Sequence, residues 1–344
     1  MNFASDNTAP MHPRVLAALE RANAGAAMPY GNDPLALGVE RKIADLFGRD
    51  CAVFLVSTGT AANALALAAC CPPWGSVYCH PEAHVDDDEC GAPEFYTGGA
   101  KLVGVEGAHG RIAAADLDAA LAGAGKGVVH HVQPAVVSLT NASEAGTVYT
   151  PAHTGALAEV AKRHGVRLHV DGARFANALG TLGCTPAAAT WQAGVDILSF
   201  GGTKNGCMAV EAIVVFDKAL AETLAFRRKR AGHLFSKMRF LAAQMDAYLE
   251  GGLWLDLARH ANDAARRLAE GLGRLKGAAL VHPVEANEVF IDLPEAAIAA
   301  TEKAGYRSYR WLGPGTQRLR LVCAWSTRME DVDGFVQTAA AALA

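Results

Sequence analysis

The chain has 344 residues, 51% of them hydrophobic and 19% charged, with a formal net charge of −4. That length and composition allow a large buried core, with one big domain and a smaller one. The slight negative charge offers no basic field for nucleic acid, and no apolar run approaches the roughly 20 residues that span a bilayer, so both function classes are set aside.

The first residues, Met1 to Asp6, carry neither a basic stretch nor an apolar one, so no secretory signal is expected and the cytoplasm is the expected location. The cysteines at 51, 70, 71, 79, 90, 184, 207 and 323 form no C-x-x-C and read as thiols in a reducing compartment.

In chain order, β-rich runs are expected at 52–56, 102–105, 127–132, 136–139, 166–170, 196–200 and 212–216. Helical patterns at 60–70, 115–122 and 153–163 alternate with them, which implies a mostly parallel sheet covered by helices. From about residue 239 the pattern changes to long amphipathic helices at 237–249 and 253–272, then strands at 288–293 and 318–323 and a helix from about 331. The expected division is an N-terminal arm and large α/β domain over 1–245, and a small α+β domain over 246–344.

Three segments carry chemistry. In Val56-Ser57-Thr58-Gly59-Thr60-Ala61-Ala62-Asn63 a strand runs through Thr-Gly-Thr into a helix. Free amides at that helix start would hold a phosphate, and Thr58 or Thr60 could equally be a plain helix cap. The strand Leu168-His169-Val170 delivers Asp171 to the sheet edge where α/β proteins bind ligands, followed by Gly172-Ala173-Arg174. Asp171 there suits a pyridinium nitrogen, or the cap of the next helix. A third strand leads into Gly201-Gly202-Thr203-Lys204-Asn205, placing one lysine in a small-residue turn, where it reads either as an amine for a cofactor aldehyde or as a surface loop lysine. The order phosphate turn, Asp, Lys, each after a strand, favours the chemical reading of all three.

These segments, with Pro29-Tyr30-Gly31-Asn32-Asp33-Pro34, Ala83-His84, Lys237-Met238-Arg239 and Arg318-Leu319-Arg320, resemble the L-threonine aldolase family. Its members are fold-type I enzymes dependent on pyridoxal 5′-phosphate (PLP). The resemblance covers essentially the whole chain. It implies a PLP-dependent transferase-like fold, with a mostly parallel seven-stranded sheet and a small C-terminal domain. It also implies retro-aldol cleavage of L-β-hydroxy-α-amino acids such as threonine, allo-threonine or phenylserine.

Residue by residue, the resemblance implies that Lys204 carries PLP as a Schiff base, that Gly59 and Thr60 bind its phosphate, that His84 stacks on its ring and that Asp171 holds its nitrogen. Arg174 lies beside the ring oxygen and the substrate carboxylate, which Ser5 and Arg320 also grip. Tyr30 and Arg239, the latter toward the phosphate, approach from a neighbouring subunit, so a homotetramer, or at least a dimer, is implied. His130, eight residues before Ser138, falls where the family keeps a histidine near the substrate hydroxyl; His131 beside it leaves the choice between them open. No metal is expected. Rival outcomes are β-elimination or serine and α-methylserine cleavage on the same scaffold, and a PLP-binding protein without turnover.

Departures from the family pattern are Thr203-Lys204-Asn205 for Ser-Lys-Gly, and Thr140-Asn141-Ala142 for Glu-Asn-Thr, which removes a carboxylate from the pocket. The run Asp86-Asp87-Asp88-Glu89 reads as acidic residues complementing a helix start, and Arg227-Arg228-Lys229-Arg230 as a solvated helix face.

Overall fold

A computed structural model describes residues 1–313 and 315–344 of the chain. An N-terminal arm leads to α1 (Pro13–Ala22) and α2 (Pro34–Phe47). In α2 the Asp33 carboxylate accepts from the amides of Leu35 and Ala36, Pro34 presets the first turn, and Gly48 closes the helix at φ 59°. Then follow β1 (Ala52–Val56), α3 (Gly59–Cys70), β2 (Gly75–Cys79), the short helices α4 (His84–Asp87) and α5 (Ala92–Thr97), β3 (Lys101–Gly104), α6 (Ala114–Ala122) and β4 (Gln133–Thr140). Next come α7 (Pro151–His164), β5 (Arg167–Gly172), α8 (Phe175–Leu182), β6 (Ile197–Gly201), β7 (Glu211–Val215), α9 (Ala221–Arg230) and α10 (Arg239–Leu249).

The seven strands form one sheet in the order β1-β7-β6-β5-β4-β2-β3, with β7 antiparallel to both its neighbours and the other pairings parallel. The inner strands β5, β6 and β7 are almost continuously buried and rich in Val, Ile and Leu, as a sheet covered on both faces requires. On one face lies α3, buried nearly all round, as its Ala-Leu-Ala sequence allows. α1, α2, α8 and α10 share the core of the other face. Because β7 reverses twice, the carboxyl ends of β1, β2, β4, β5 and β6 and the amino end of β7 meet at one sheet edge.

The remainder comprises α11 (Leu253–Leu272), β8 (Ala279–Leu280), β9 (Glu288–Asp292), α12 (Glu295–Lys303), β10 (Tyr309–Arg310), β11 (Arg318–Val322) and α13 (Met329–Ala341). Its four strands form a second, antiparallel sheet in the order β10-β11-β9-β8. The buried stripe of α11 changes core along its length: Trp254 and Ala258 pack with the large sheet, and Ala264 to Leu272 with the small one. Phe3 from the arm is buried in the small core, against Phe335 and Tyr306. No helix among the described residues is long and apolar enough to cross a membrane.

Two expectations are corrected. Residues 127–132 form turns rather than a strand, because Gly125 and Gly127 take φ of 71° and 83° and Val128 and His131 close local hydrogen bonds. The seventh strand of the sheet is instead β2, whose Gly-Ser-Val-Tyr-Cys sequence lacks a pronounced β pattern.

Candidate active site

At the shared edge lies a cavity of about 390 Å³, lined by Gly59, Thr60, His84, Asp171, Arg174 and Lys204 together with Asn63, Thr140, Glu144, Met208 and Glu211. Six of the expected site residues are thus brought to one cavity by the ends of different strands.

The turn after β1 serves both as a cap and as an open cradle. Thr58 Oγ1 accepts from the Ala61 amide at 3.1 Å, while the amides of Gly59 and Thr60 have no protein partner among the described residues. A Cβ at Gly59 would meet no protein atom within 4 Å, so the space above it belongs to the cavity. Free amides at the start of a twelve-residue helix form an anion site.

Asp171, at the end of β5, is buried and oriented from two sides: Asn63 Nδ2 donates to Oδ2 at 2.7 Å and the Ala173 amide to Oδ1 at 2.9 Å. Beneath it His169 spans Ser138 and Ser199 at 2.9 and 3.0 Å, and burial holds its pKa down to about 4, so it is a neutral strut. Asn63 also donates to Glu89 Oε1 at 2.9 Å, and Glu89 Oε1 lies 2.8 Å from His84 Nδ1. Glu89 therefore does not serve as a solvent-facing helix start; unlike exposed Asp86 to Asp88 it turns inward and fixes the His84 ring. The bond to Glu89 raises the pKa of His84 against the opposing effect of burial.

Lys204 sits in the turn after β6, with neither a hydrogen bond nor an ion pair on its ammonium among the described residues. The turn itself is rigid: Asn205 Nδ2 donates to Tyr248 Oη and to the Trp254 carbonyl, both at 2.8 Å, and the Thr203 hydroxyl accepts from the Val210 amide at 3.1 Å. From the amino end of β7, Glu211 accepts from the Gly202 amide at 2.8 Å, and burial pushes its carboxyl up to about 7.

Arg174 is buried and charged. Burial opposes its charge, but Asp6 and Glu288 outweigh that and raise its pKa. Its Nε and Nη2 donate to Asp6 at 2.8 and 3.1 Å, and Glu288 Oε2 lies 3.4 Å from Nη1. Asn287 also donates to Asp6 at 3.0 Å. Arg320 binds the other oxygen of Glu288 through Nε at 3.1 Å and packs beside Trp311, so it joins the cavity through Glu288 rather than lining it.

Other expectations fall elsewhere. Ser5 does not line the cavity; its hydroxyl accepts from the Asn7 amide, and its neighbour Asp6 does the work on Arg174. Tyr30 lies on a separate exposed face, its ring under the Lys229 ammonium at 4.8 Å, and Arg239 donates to the Gly25 carbonyl at 3.0 Å. His130 is exposed in the turn before the amino end of β4, whereas the cavity is at Thr140, beyond the strand's other end. At about 3.3 Å per residue the strand alone separates them by roughly 23 Å, so neither His130 nor His131 reaches this chain's own cavity. Sequence reasoning missed Asp6, Asn63, Glu89 and Glu144. Asn63 stood within the Thr-Gly-Thr motif with a spare polar group, and Glu89 within the acidic run read as a helix start.

The donor set fits PLP. Open amides suit a phosphate, an oriented carboxylate a protonated ring nitrogen, and an unpaired lysine an aldehyde. The β-eliminating lyase family model matches residues 2–296. The chain is 46% identical over 331 residues to a low-specificity L-threonine aldolase of Pseudomonas aeruginosa, covering 96% of this chain and 94% of that protein. It is 44% identical to the enzyme of the same name from a Pseudomonas species, over 94% and 93% of the two chains. The structure of Leishmania major threonine aldolase superimposes with a TM-score of 0.92 at 30% identity, covering 100% of this chain and 99% of that one. The protein belongs to the β-eliminating lyase family, in its low-specificity L-threonine aldolase branch.

Proposed function

We propose that this protein is a PLP-dependent carbon–carbon lyase that cleaves L-β-hydroxy-α-amino acids to glycine and an aldehyde. The observation that carries the reading is the meeting of Lys204, Asp171 and the open start of α3 in one cavity. Bound PLP supplies an aldehyde that links to an amine and a ring that accepts the electrons released at Cα.

The chain's own residues do the rest. Gly59 and Thr60 hold the phosphate with backbone amides. Asp171, fixed by Asn63 and the Ala173 amide, keeps the ring nitrogen protonated. Lys204 would hold the cofactor, and the Asn205 bonds to Tyr248 and the Trp254 carbonyl fix the turn that presents its amine. His84, oriented by Glu89, would pack against the cofactor ring. Arg174 attracts the substrate carboxylate, with Arg320 adding positive charge from behind Glu288 and Ser5 capping the turn that carries Asp6. Ala142, Ala173, Ala209 and Met208 supply the apolar wall.

Tyr30 and Arg239 act in a neighbouring subunit's site, in a homotetramer built on dimers. The buried, unpartnered Nε of Arg239 and the positive φ of the exposed Tyr30 support that reading. Residues 1–245 and 246–344 are the two domains, with α11 packing on both cores, and the chain works in the cytoplasm with its cysteines as thiols.

Incubation with L-threonine and L-phenylserine tests the reaction. Release of glycine with acetaldehyde or benzaldehyde supports it. The family description names the competing outcome, β-elimination, and keto acid with ammonia as the sole products would overturn the aldolase reading.

A further inference from the structure

Neither His130 nor His131 reaches this chain's cavity, so within it the proton of the substrate's β-hydroxyl needs another acceptor. Asp171 is committed to Asn63 and the Ala173 amide, Arg174 to Asp6, and Glu211 to the Gly202 amide beside the Lys204 turn. Of the carboxylates that line the cavity among the described residues, Glu144 is the one not fully buried.

Glu144 follows β4 by four residues and reaches back over its end. Its Oε1 accepts from the His84 amide at 2.8 Å. Part of its surface stays open to the cavity. The charged and titratable groups that share its cavity are His84 on α4, Asp171 on β5, Arg174 after it, Lys204 after β6 and Glu211 on β7, and its charge also acts on Cys79 at the end of β2 and Tyr149 before α7. Burial, then the negative charge of Asp171, push its carboxyl up to about 7. A carboxyl so placed is both a usable base and a usable acid at neutral pH. The carboxylate that the Thr140-Asn141-Ala142 sequence lacks is thereby restored from a position four residues after Thr140.

We propose that Glu144 takes the proton from the substrate's β-hydroxyl as the Cα–Cβ bond breaks, and returns it in the condensation direction. The O–H electron pair becomes the second bond of the aldehyde carbonyl. The Cα–Cβ pair stays with the glycyl fragment, which gains one proton at Cα, so one proton leaves oxygen and one arrives at carbon. No oxidant or reductant enters. The proposal rests on the aldolase reading.

The test uses holoenzyme of the wild type, Glu144→Gln and Glu144→Asp. It compares aldehyde release from L-threonine across pH with two readouts that need no hydroxyl chemistry, cofactor affinity and exchange of the glycine α-proton in D2O. For Glu144→Gln the expected loss in kcat is on the order of 10²–10⁴-fold, with cofactor affinity and glycine exchange within about threefold of wild type. Glu144→Asp should lose less, and the acid limb of the wild-type profile should vanish in the Gln variant. Cleavage by Glu144→Gln within about fivefold of wild type, or glycine exchange falling by the same factor as cleavage, would overturn the proposal. If the Gln variant does not fold, Glu144→Asp decides: kcat lowered at unchanged cofactor affinity supports the role, and unchanged kcat rejects it. A wild type that binds cofactor and exchanges glycine but releases no aldehyde would instead defeat the aldolase reading itself.

Discussion

The imidazole Nδ1 of His84 lies 2.8 Å from Oε1 of buried Glu89, which raises the pKa of His84. A histidine with a folded pKa above its ordinary 6.5 contributes stability that is fully present below 6.5 and is lost as pH rises through the folded value. Glu89→Gln removes the charge that raises it. NMR titration should show the His84 pKa falling in the variant, and the wild-type advantage in Tm should shrink as pH rises through the folded His84 value and again in acid, where Glu89, raised by burial, takes up a proton. An unchanged titration would mean that the pair is not ionic.

Asp6 neutralises Arg174 in a place with almost no solvent, at 2% and 9% exposure of the two side chains. Asp6→Ala leaves a buried cation with only Glu288 at 3.4 Å, and breaking such a pair costs about 3–5 kcal/mol. Burial works against the Asp6 charge, but Arg174 and Lys204 outweigh it and hold its pKa below the usual 3.8. Its contribution is therefore present above 3.8 and is lost as pH falls through the lower folded value. Denaturant melts at neutral pH should show the deficit, and the two proteins should converge in strong acid.

Gly201 lets β6 pass close to the segment carrying Arg174. A Cβ there would run into the Ala173 carbonyl, which is backbone and has little room to move. Gly201→Ala should cost about 1–3 kcal/mol and displace the Lys204 turn, so cofactor affinity should fall together with Tm. A variant of wild-type Tm and cofactor affinity would show that the strand yields.

The strands that carry Asp171 and Lys204 were legible because each is an apolar run ending abruptly in Gly or Asp, and the Thr58-Gly59-Thr60 turn because it joins a strand directly to an alanine-rich helix. β2 was not legible, since its five residues include Gly, Ser and Cys and follow two prolines. The carboxylates Asp6, Glu89 and Glu144 were hidden for another reason. Nothing in a sequence distinguishes a carboxylate turned inward from one facing water, and Glu89 closes a run whose other three members are exposed. His130 lies away from this chain's cavity because counting back along a strand moves toward its amino end, away from the edge where the cavity lies.

That placement has its own test. His130→Phe replaces an exposed turn residue far from the cavity, and such changes usually stay within about 0.5 kcal/mol. Cleavage and cofactor affinity should match wild type. A large selective loss of cleavage would return His130 to the mechanism and displace Glu144.

The central claim is that Lys204 is the cofactor's attachment point. The most direct measurement is the visible absorbance of purified wild type and Lys204→Ala after incubation with PLP and removal of the unbound excess. Wild type should show the band of lysine-bound cofactor, shifting on addition of glycine, and Lys204→Ala should lack it while keeping its far-UV circular dichroism. The same band in Lys204→Ala, or none in wild type, would contradict the account.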